Sequence, residues 1–379
     1  MTDTQTLLAP APTVAPRKNK RERYVEEQLD ASKFPPQLRA FIEVSGVAKA
    51  QGLLKRARWF YFTVLGVLAV ALVGLFAGFI MLGDSWFQLL IAAALGIVMT
   101  QVAFVAHEAG HRQVLESGPN NTRLARLLAA GVVGLSFSWW DSKHSRHHGN
   151  PNRVGKDPDI AFDTISFLEA DAVRSRGLVR WITKRQGWLF FPLLTLEGIN
   201  LHMHSFKDLL KPGKVEKRWT ELALMTLRFS ALLIPVFLVL PVGMAFAFLA
   251  VQMAVFGVYM GASFAPNHKG MPIVAPGAKL DFFSKQVRTS RNIRGGWWAT
   301  ALMGGLNYQV EHHLFPSMAR PHLAKARKIV REYCATHDVP YTETTLLRSY
   351  GIVIRYLNEV GLKARDPFEC PMNTQFRPT

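Results

Sequence analysis

Only two cysteines, Cys334 and Cys370, occur in 379 residues, and both sit in the polar C-terminal part. A disulfide framework is thereby excluded, as is a cysteine-built zinc or iron–sulfur site, and a reducing compartment is the expected setting. Acidic residues are scarce too: 27 Asp and Glu face 45 Lys and Arg, a formal net charge of +18. Residues 1–16 are rich in Thr, Ala and Pro and lead into Arg17-Lys18-Asn19-Lys20-Arg21-Glu22-Arg23, with no apolar run at signal-peptide distance. This reads as a disordered basic tail, not a secretory signal. No repeat at solenoid spacing is present.

What is abundant is apolar sequence, 49% of the chain, and it is gathered into blocks. Four of them, at about residues 59–82, 86–106, 222–240 and 242–265, reach the ~20 residues that a bilayer-spanning helix needs. The first two are separated only by Gly83, Asp84 and Ser85, and the last two meet at Pro241, so each pair forms a hairpin. Arg228 is the one basic residue within the four blocks, and neither short connection carries Lys or Arg. By the positive-inside bias the N-terminal, central and C-terminal segments are all expected on the cytoplasmic side. The predicted fold is mainly α and integral to the membrane, with a cytosolic helical cap over two hairpins. Its expected division is a tail over residues 1–40, a catalytic unit over 41–350 and a C-terminal tail over 351–379. Two shorter apolar stretches, 124–140 and 188–199, are expected to be interfacial helices, with 295–306 also at the membrane surface.

The twelve histidines fall mostly into clusters. His107 and His111 lie four apart where the second block reaches the cytoplasm, which on a helix puts both rings on one face. His144, His147 and His148 repeat an i, i+3, i+4 spacing, and Gln309, His312 and His313 repeat it with an amide in first place. On a helix, that spacing is expected to aim the rings roughly the same way. A capped helix end or a solvated basic loop accounts for any one cluster; three on the same side of the membrane point to metal. Seven imidazoles exceed the needs of one ion, so a two-metal site is inferred, and imidazole alone suits zinc, copper or iron. Read by itself, His107-Glu108-Ala109-Gly110-His111 also fits the H-E-x-x-H of a membrane zinc protease, a reading that leaves the other clusters unexplained. Polar ligands gathered at one end of the spans, instead of within them, disfavour a transporter.

HxxxH, HxxHH and QxxHH, in this order around two hydrophobic hairpins, resemble the histidine boxes of the membrane fatty-acid desaturase family. Asn150-Pro151-Asn152, Asp157-Pro158-Asp159-Ile160 and Asn267-His268 extend the likeness, which covers about residues 60–350. The resemblance implies two non-haem irons that react with O2 to insert a double bond into a long acyl chain. It implies ligation by His107, His111, His144, His147, His148, His268, His312 and His313. Gln309 stands where many members have histidine, as in the front-end subgroup and some bacterial enzymes, and is read as a weak ligand or an orienting group. Asp157, Asp159, Asn267 and Glu311 are candidates for orienting hydrogen bonds. Trp139, Trp140, Trp297 and Trp298 are either interfacial anchors or the rim of an acyl slot. The implied substrates are acyl-CoA, a carrier-bound acyl group or a phospholipid. The basic surface suits anionic lipid, a phosphate-bearing thioester or an acidic electron carrier, not nucleic acid. No His-Pro-Gly-Gly haem motif occurs, so a separate ferredoxin with its reductase, or a free cytochrome b5, is the expected donor. The expected location is a bacterial plasma membrane, with active site and both termini cytoplasmic. A di-iron lipid or carotenoid hydroxylase or ketolase is the alternative activity.

Overall fold

The computed structural model describes residues 31–362, so the first part of the basic tail, Cys370 and the segment from 363 onward lie outside the described residues. The helices are α1 (Pro36–Ala50), α2 (Arg58–Leu82), α3 (Gln88–Gly110), α4 (Gly118–Arg126), α5 (Phe137–Gly149), α6 (Glu169–Arg174), α7 (Gly177–Thr183), α8 (Gln186–Leu193), α9 (Glu197–Leu210), α10 (Arg218–Val239), α11 (Val242–His268), α12 (Phe282–Thr289), α13 (Gly296–Leu302), α14 (Gln309–Leu314), α15 (Arg320–Thr336) and α16 (Leu346–Leu362). A two-stranded parallel sheet pairs β1 (Arg291–Arg294) with β2 (Thr342–Thr345).

Four helices, α2, α3, α10 and α11, are long and apolar enough to cross a membrane. At 22–27 residues and about 1.5 Å per residue they measure roughly 33–40 Å, against a hydrocarbon core of ~30 Å. They form the two expected hairpins. Gly83 ends α2 with a left-handed backbone, φ 51°, which costs a glycine nothing. The Gln88 amide then donates to the Phe79 and Gly83 carbonyls at 2.7 and 2.8 Å, satisfying groups that the helix end leaves open. In the second hairpin Leu240 and Pro241 break the helix, and Pro241, which has no amide hydrogen to lose, opens α11.

The spans are not equivalent. Only 6% of the most apolar stretch of α2 is buried in the protein, against 44% for α3, so α2 is peripheral and α3 central. Val67, Val70 and Val73 face outward from α2, as Leu227 and Leu238 do from α10. The α3 and α11 backbones come so close at Gly96 that a β-carbon there would meet the Gln252 carbonyl at 2.8 Å.

The stretch expected as one helix over 124–140 is broken in three. Leu127–Val133 winds as a wider π-turn packed on α3 and α10, Gly134 takes a left-handed backbone (φ 99°), and Ser136 caps α5. Its anchor is Glu221, fully buried on α10. That carboxylate accepts from Arg126 Nε at 3.0 Å, Ser136 Oγ at 2.7 Å, and Ser138 N and Oγ at 3.1 and 2.6 Å. One acid thus fixes the start of the helix that carries the second histidine cluster. Residues 188–199 likewise divide between α8, a short 3-10 turn and the start of α9. The last helix, α16, runs through residue 350 and buries Val353 and Leu357 against Phe190 and Leu194.

Replacing Glu221 by Leu removes the buried counter-charge of Arg126 and leaves it only the exposed Glu216 at 3.1 Å. A loss of about 3–5 kcal/mol is expected, read as a lowered unfolding midpoint of the purified protein.

Candidate metal centre

The structure gathers all eight predicted histidines and sorts them into two groups. Ring nitrogens of His107, His111, His144, His148 and His312 lie within 4.8 Å of one another, as do those of His147, His268 and His313. The sorting follows from helix geometry. At 3.6 residues per turn, successive side chains diverge by ~100°. His144 and His148 therefore point one way from α5 while His147 points to the second group, and neighbours His312 and His313 on α14 are divided likewise. The expectation that one cluster aims its rings together is corrected on this point. His268 is the last residue of α11 and brings that span into the second group.

Nitrogens converge within each group. His111 Nε2 is 2.9 Å from His144 Nε2, His107 Nε2 is 3.1 Å from it, and His147 Nε2 is 3.3 Å from His268 Nε2. In the second group every ring is held from behind. The Nδ1 of His147 donates to Asp157 at 3.0 Å, that of His268 to the Thr289 carbonyl at 2.9 Å, and that of His313 to Gln286 Oε1 at 3.1 Å. In the neutral ring each Nε2 is then an acceptor facing inward, and that of His268 meets the Gln309 amide.

Burial, reinforced by neighbouring imidazoles, pushes His144, His148, His312 and His313 well below the ordinary range, and burial takes His111 down to about 3. These rings are neutral at physiological pH. His147 is the exception: burial acts against its charge, but Asp159 and Asp157 outweigh it and raise the pKa. Asp157 stays below its usual range in spite of burial, because the His147 ring faces it, and it also accepts from the Asn152 and Asp159 amides at 2.7 and 2.9 Å.

The remaining predicted residues divide. Asp157 contacts a histidine directly, and Asp159 lies 3.4 Å from His147 Nδ1. Gln309 sits beside the second group with its amide nitrogen 2.9 Å from His268 Nε2 and its oxygen accepting from Asn267 at 3.1 Å. Glu311 turns elsewhere: it accepts from Asn292 and Tyr341 at 2.7 and 2.9 Å, and burial raises its pKa to about 7. Trp140 stacks on His144 with ring centroids 4.6 Å apart, and Trp139 stacks on His204 at 6.0 Å, whereas Trp297 is 84% exposed. Glu108 is taken up by Arg320, whose Nε donates at 2.7 Å, and it also accepts from Tyr61 at 3.2 Å. A carboxylate so engaged is not placed to serve as the base of a zinc protease.

Sequence reasoning missed Gln286, which ties His313 to the second cluster by also donating to the His148 carbonyl at 3.0 Å. It missed Arg320 and the Thr289 carbonyl as well. A lone glutamine, a lone arginine and a backbone oxygen carry no spacing signal.

The model of the fatty acid desaturase family matches residues 84–345, which takes in every histidine described above. This chain belongs to that family. Among relatives, the Delta(8)-fatty-acid desaturase of Helianthus annuus is 27% identical over 307 residues, 75% of this chain and 65% of that protein. Delta(8)-fatty-acid desaturase 2 of Arabidopsis thaliana is 28% identical, covering 80% of this chain and 70% of its own length. The Delta 8-(E)-sphingolipid desaturase of Lachancea kluyveri is 28% identical over 74% of this chain and 52% of that protein. The chain thus spans somewhat less than two thirds of the Helianthus protein and about half of the yeast one. With its four apolar spans, this member of the fatty acid desaturase family is an integral membrane protein.

The residues present fit a pair of metal ions. Both ring nitrogens of His148 and the Nε2 atoms of His312 and His313 are buried with no hydrogen-bond partner among the described residues. Such orphans are costly in a protein interior unless something accepts their lone pairs. Imidazoles in two adjoining groups, with Asp157 and Asp159 supplying negative charge behind one of them, are a donor set for first-row transition metals.

Asp157→Asn removes the charge behind His147. Metal retention under chelator challenge, read by elemental analysis, is expected to fall about 10–100-fold at one of two sites, with total metal dropping toward half.

Proposed function

We propose that the protein is an oxygen-dependent fatty-acyl desaturase that inserts a cis double bond into a long acyl chain. The observation that carries this reading is two adjoining groups of histidines placed beside an apolar slot. That slot, about 530 Å³, is lined by Ile97, Tyr259, Ser263, Met303, Leu346 and Tyr350 among others. Its volume falls within the ~300–1,000 Å³ of small-molecule sites. Phe264, next to Ser263, packs on His107 with ring centroids 6.2 Å apart, so slot and site share a wall. The family relationship and the desaturase names of the relatives point the same way.

In this reading, His107, His111, His144, His148 and His312 hold one iron and His147, His268 and His313 the other. Gln309 stands beside the second as a weak ligand or an orienting amide. The two irons supply, with O2, the oxidising power that side chains lack. Two hydrogens leave adjacent carbons, and with two electrons and two protons from outside, O2 ends as two waters. The chain's own residues orient and exclude. Asp157, Gln286 and the Thr289 carbonyl fix three rings through Nδ1. Trp140 covers the rings of His107, His111 and His144 on one side. The apolar slot keeps water from the chain being oxidised.

The absence of Lys and Arg from the hairpin connections supports a cytoplasmic site, and the positive charge suits an acidic electron carrier such as a ferredoxin or cytochrome b5. The acyl group arrives as a thioester or within a phospholipid. We take residues 41–350, together with the rest of α16, as the catalytic unit. A bacterial membrane remains the reading of composition; the relatives named above come from plants and a yeast and lend it no support.

The test is a fatty-acid methyl-ester profile, by gas chromatography and mass spectrometry, of a host expressing the chain with a ferredoxin and its reductase. A new unsaturated acid is expected, absent from His147→Ala and His312→Ala controls that still insert in the membrane. Hydroxylated lipid in its place, or the same product in both controls, overturns the reading.

A further inference from the structure

One cation lies within the spans with nothing acidic to answer it. Arg228 sits ten residues beyond Arg218 on α10, about 15 Å along a helix that rises ~1.5 Å per residue. Its Nε donates to the Val132 carbonyl at 2.5 Å, and its Nη2 approaches Met99 Sδ at 3.8 Å. Among the described residues Nη1 has no hydrogen-bond partner and the guanidinium forms no ion pair. The Val132 bond accounts for one of five donors by closing the end of the π-turn. A cation at membrane depth ordinarily pairs with an anion or marks a path for one.

Arg228 forms part of the wall of a second cavity of about 250 Å³ and is its one charged lining residue. The rest of the wall is apolar: Leu72, Leu75 and Phe76 from α2, Met99 from α3, and Leu232 and Val236 from α10. Phe76 is 57% exposed and lies on the outward side of α2. Helix α3 separates this slot from the one beside the histidines, for Ile97 lines the latter and Met99 the former.

We propose that this second slot binds a free fatty acid, its carboxylate pairing with Arg228 and the first part of its chain lying against Leu72, Leu75 and Leu232. An apolar wall with a single cation matches an amphiphile with one anionic group, and the planar fork of a guanidinium matches a carboxylate. The size decides between lipid classes. At 250 Å³ the slot is below the roughly 300–1,000 Å³ of drug-sized ligands, so it takes a carboxylate and part of one chain, not the glycerol phosphate and two chains of a phospholipid. This site is distinct from the desaturation site and does not rest on the activity proposed above.

The experiment uses the full-length protein in lipid nanodiscs and a sixteen-carbon fatty acid (~16 carbons, one chain) carrying a diazirine near its carboxyl end, with labelled residues mapped by mass spectrometry. The acid is expected to label residues 72–79 or 231–236, its methyl ester not to, and labelling there to fall at least tenfold in Arg228→Met. Leu75→Trp fills the slot while leaving the Arg228–Val132 bond in place, and it is expected to abolish the label as well. It decides the matter alone if Arg228→Met does not fold. Equal labelling by the ester, or undiminished labelling in Leu75→Trp, overturns the proposal. So does displacement by phosphatidylglycerol in preference to palmitate, which would give the slot to a phospholipid headgroup. Label confined to Tyr259 and Met303 places the acid in the first slot and overturns it equally.

Discussion

Imidazole nitrogens that approach one another to 2.9–3.3 Å in a buried space make a core that cannot stand on packing alone. If the rings were charged they would repel; neutral, they leave nitrogens of His148, His312 and His313 that no partner among the described residues reaches. A cation shared among the inward nitrogens resolves both problems at once, and the surrounding residues hold the rings in a posture that suits one. Asp157, Gln286 and the Thr289 carbonyl occupy the outer nitrogens. The tautomer, and with it the inward-facing lone pair, is set by these partners.

Holding such rings demands fixed helix ends, because the histidines sit at the ends of α3 and α11 and on short helices beyond them. Two buried charged contacts supply this. Glu221 pins the start of α5 to α10 through Arg126, Ser136 and Ser138. Arg320 joins α3 to the segment after α14 by gripping Glu108, while Gln113 donates to the Pro316 carbonyl at 2.8 Å. Both join a membrane helix to the cap, adding directional ion pairs to the apolar contacts between the same parts, such as Phe104 of α3 with Ile293, Met303 and Leu306.

Much of this was legible in the sequence because it depends on long runs and regular spacing. The four spans were placed within a few residues. They overrun the apolar blocks at Arg218–Glu221 and at Pro266–His268, where the helix continues and buries the polar side chains of Glu221, Asn267 and His268. Hydropathy registers no helix in such residues. Seven of the histidines were found through their periodicity, and His268 through the family resemblance alone. Their division between two groups was not, because it turns on the ~100° step between neighbours and on where α5 and α14 lie relative to each other. The π-turn at Leu127–Val133 is held by tertiary contacts, to Arg228 and Glu221 among others, that no local pattern announces.

The division of α5 has a further consequence. Because His144 and His148 belong to one group and His147 to the other, the orientational freedom of this helix is surrendered once for both. A rotation of α5 about its axis therefore disturbs rings of both groups together, so the two groups share one mechanical support.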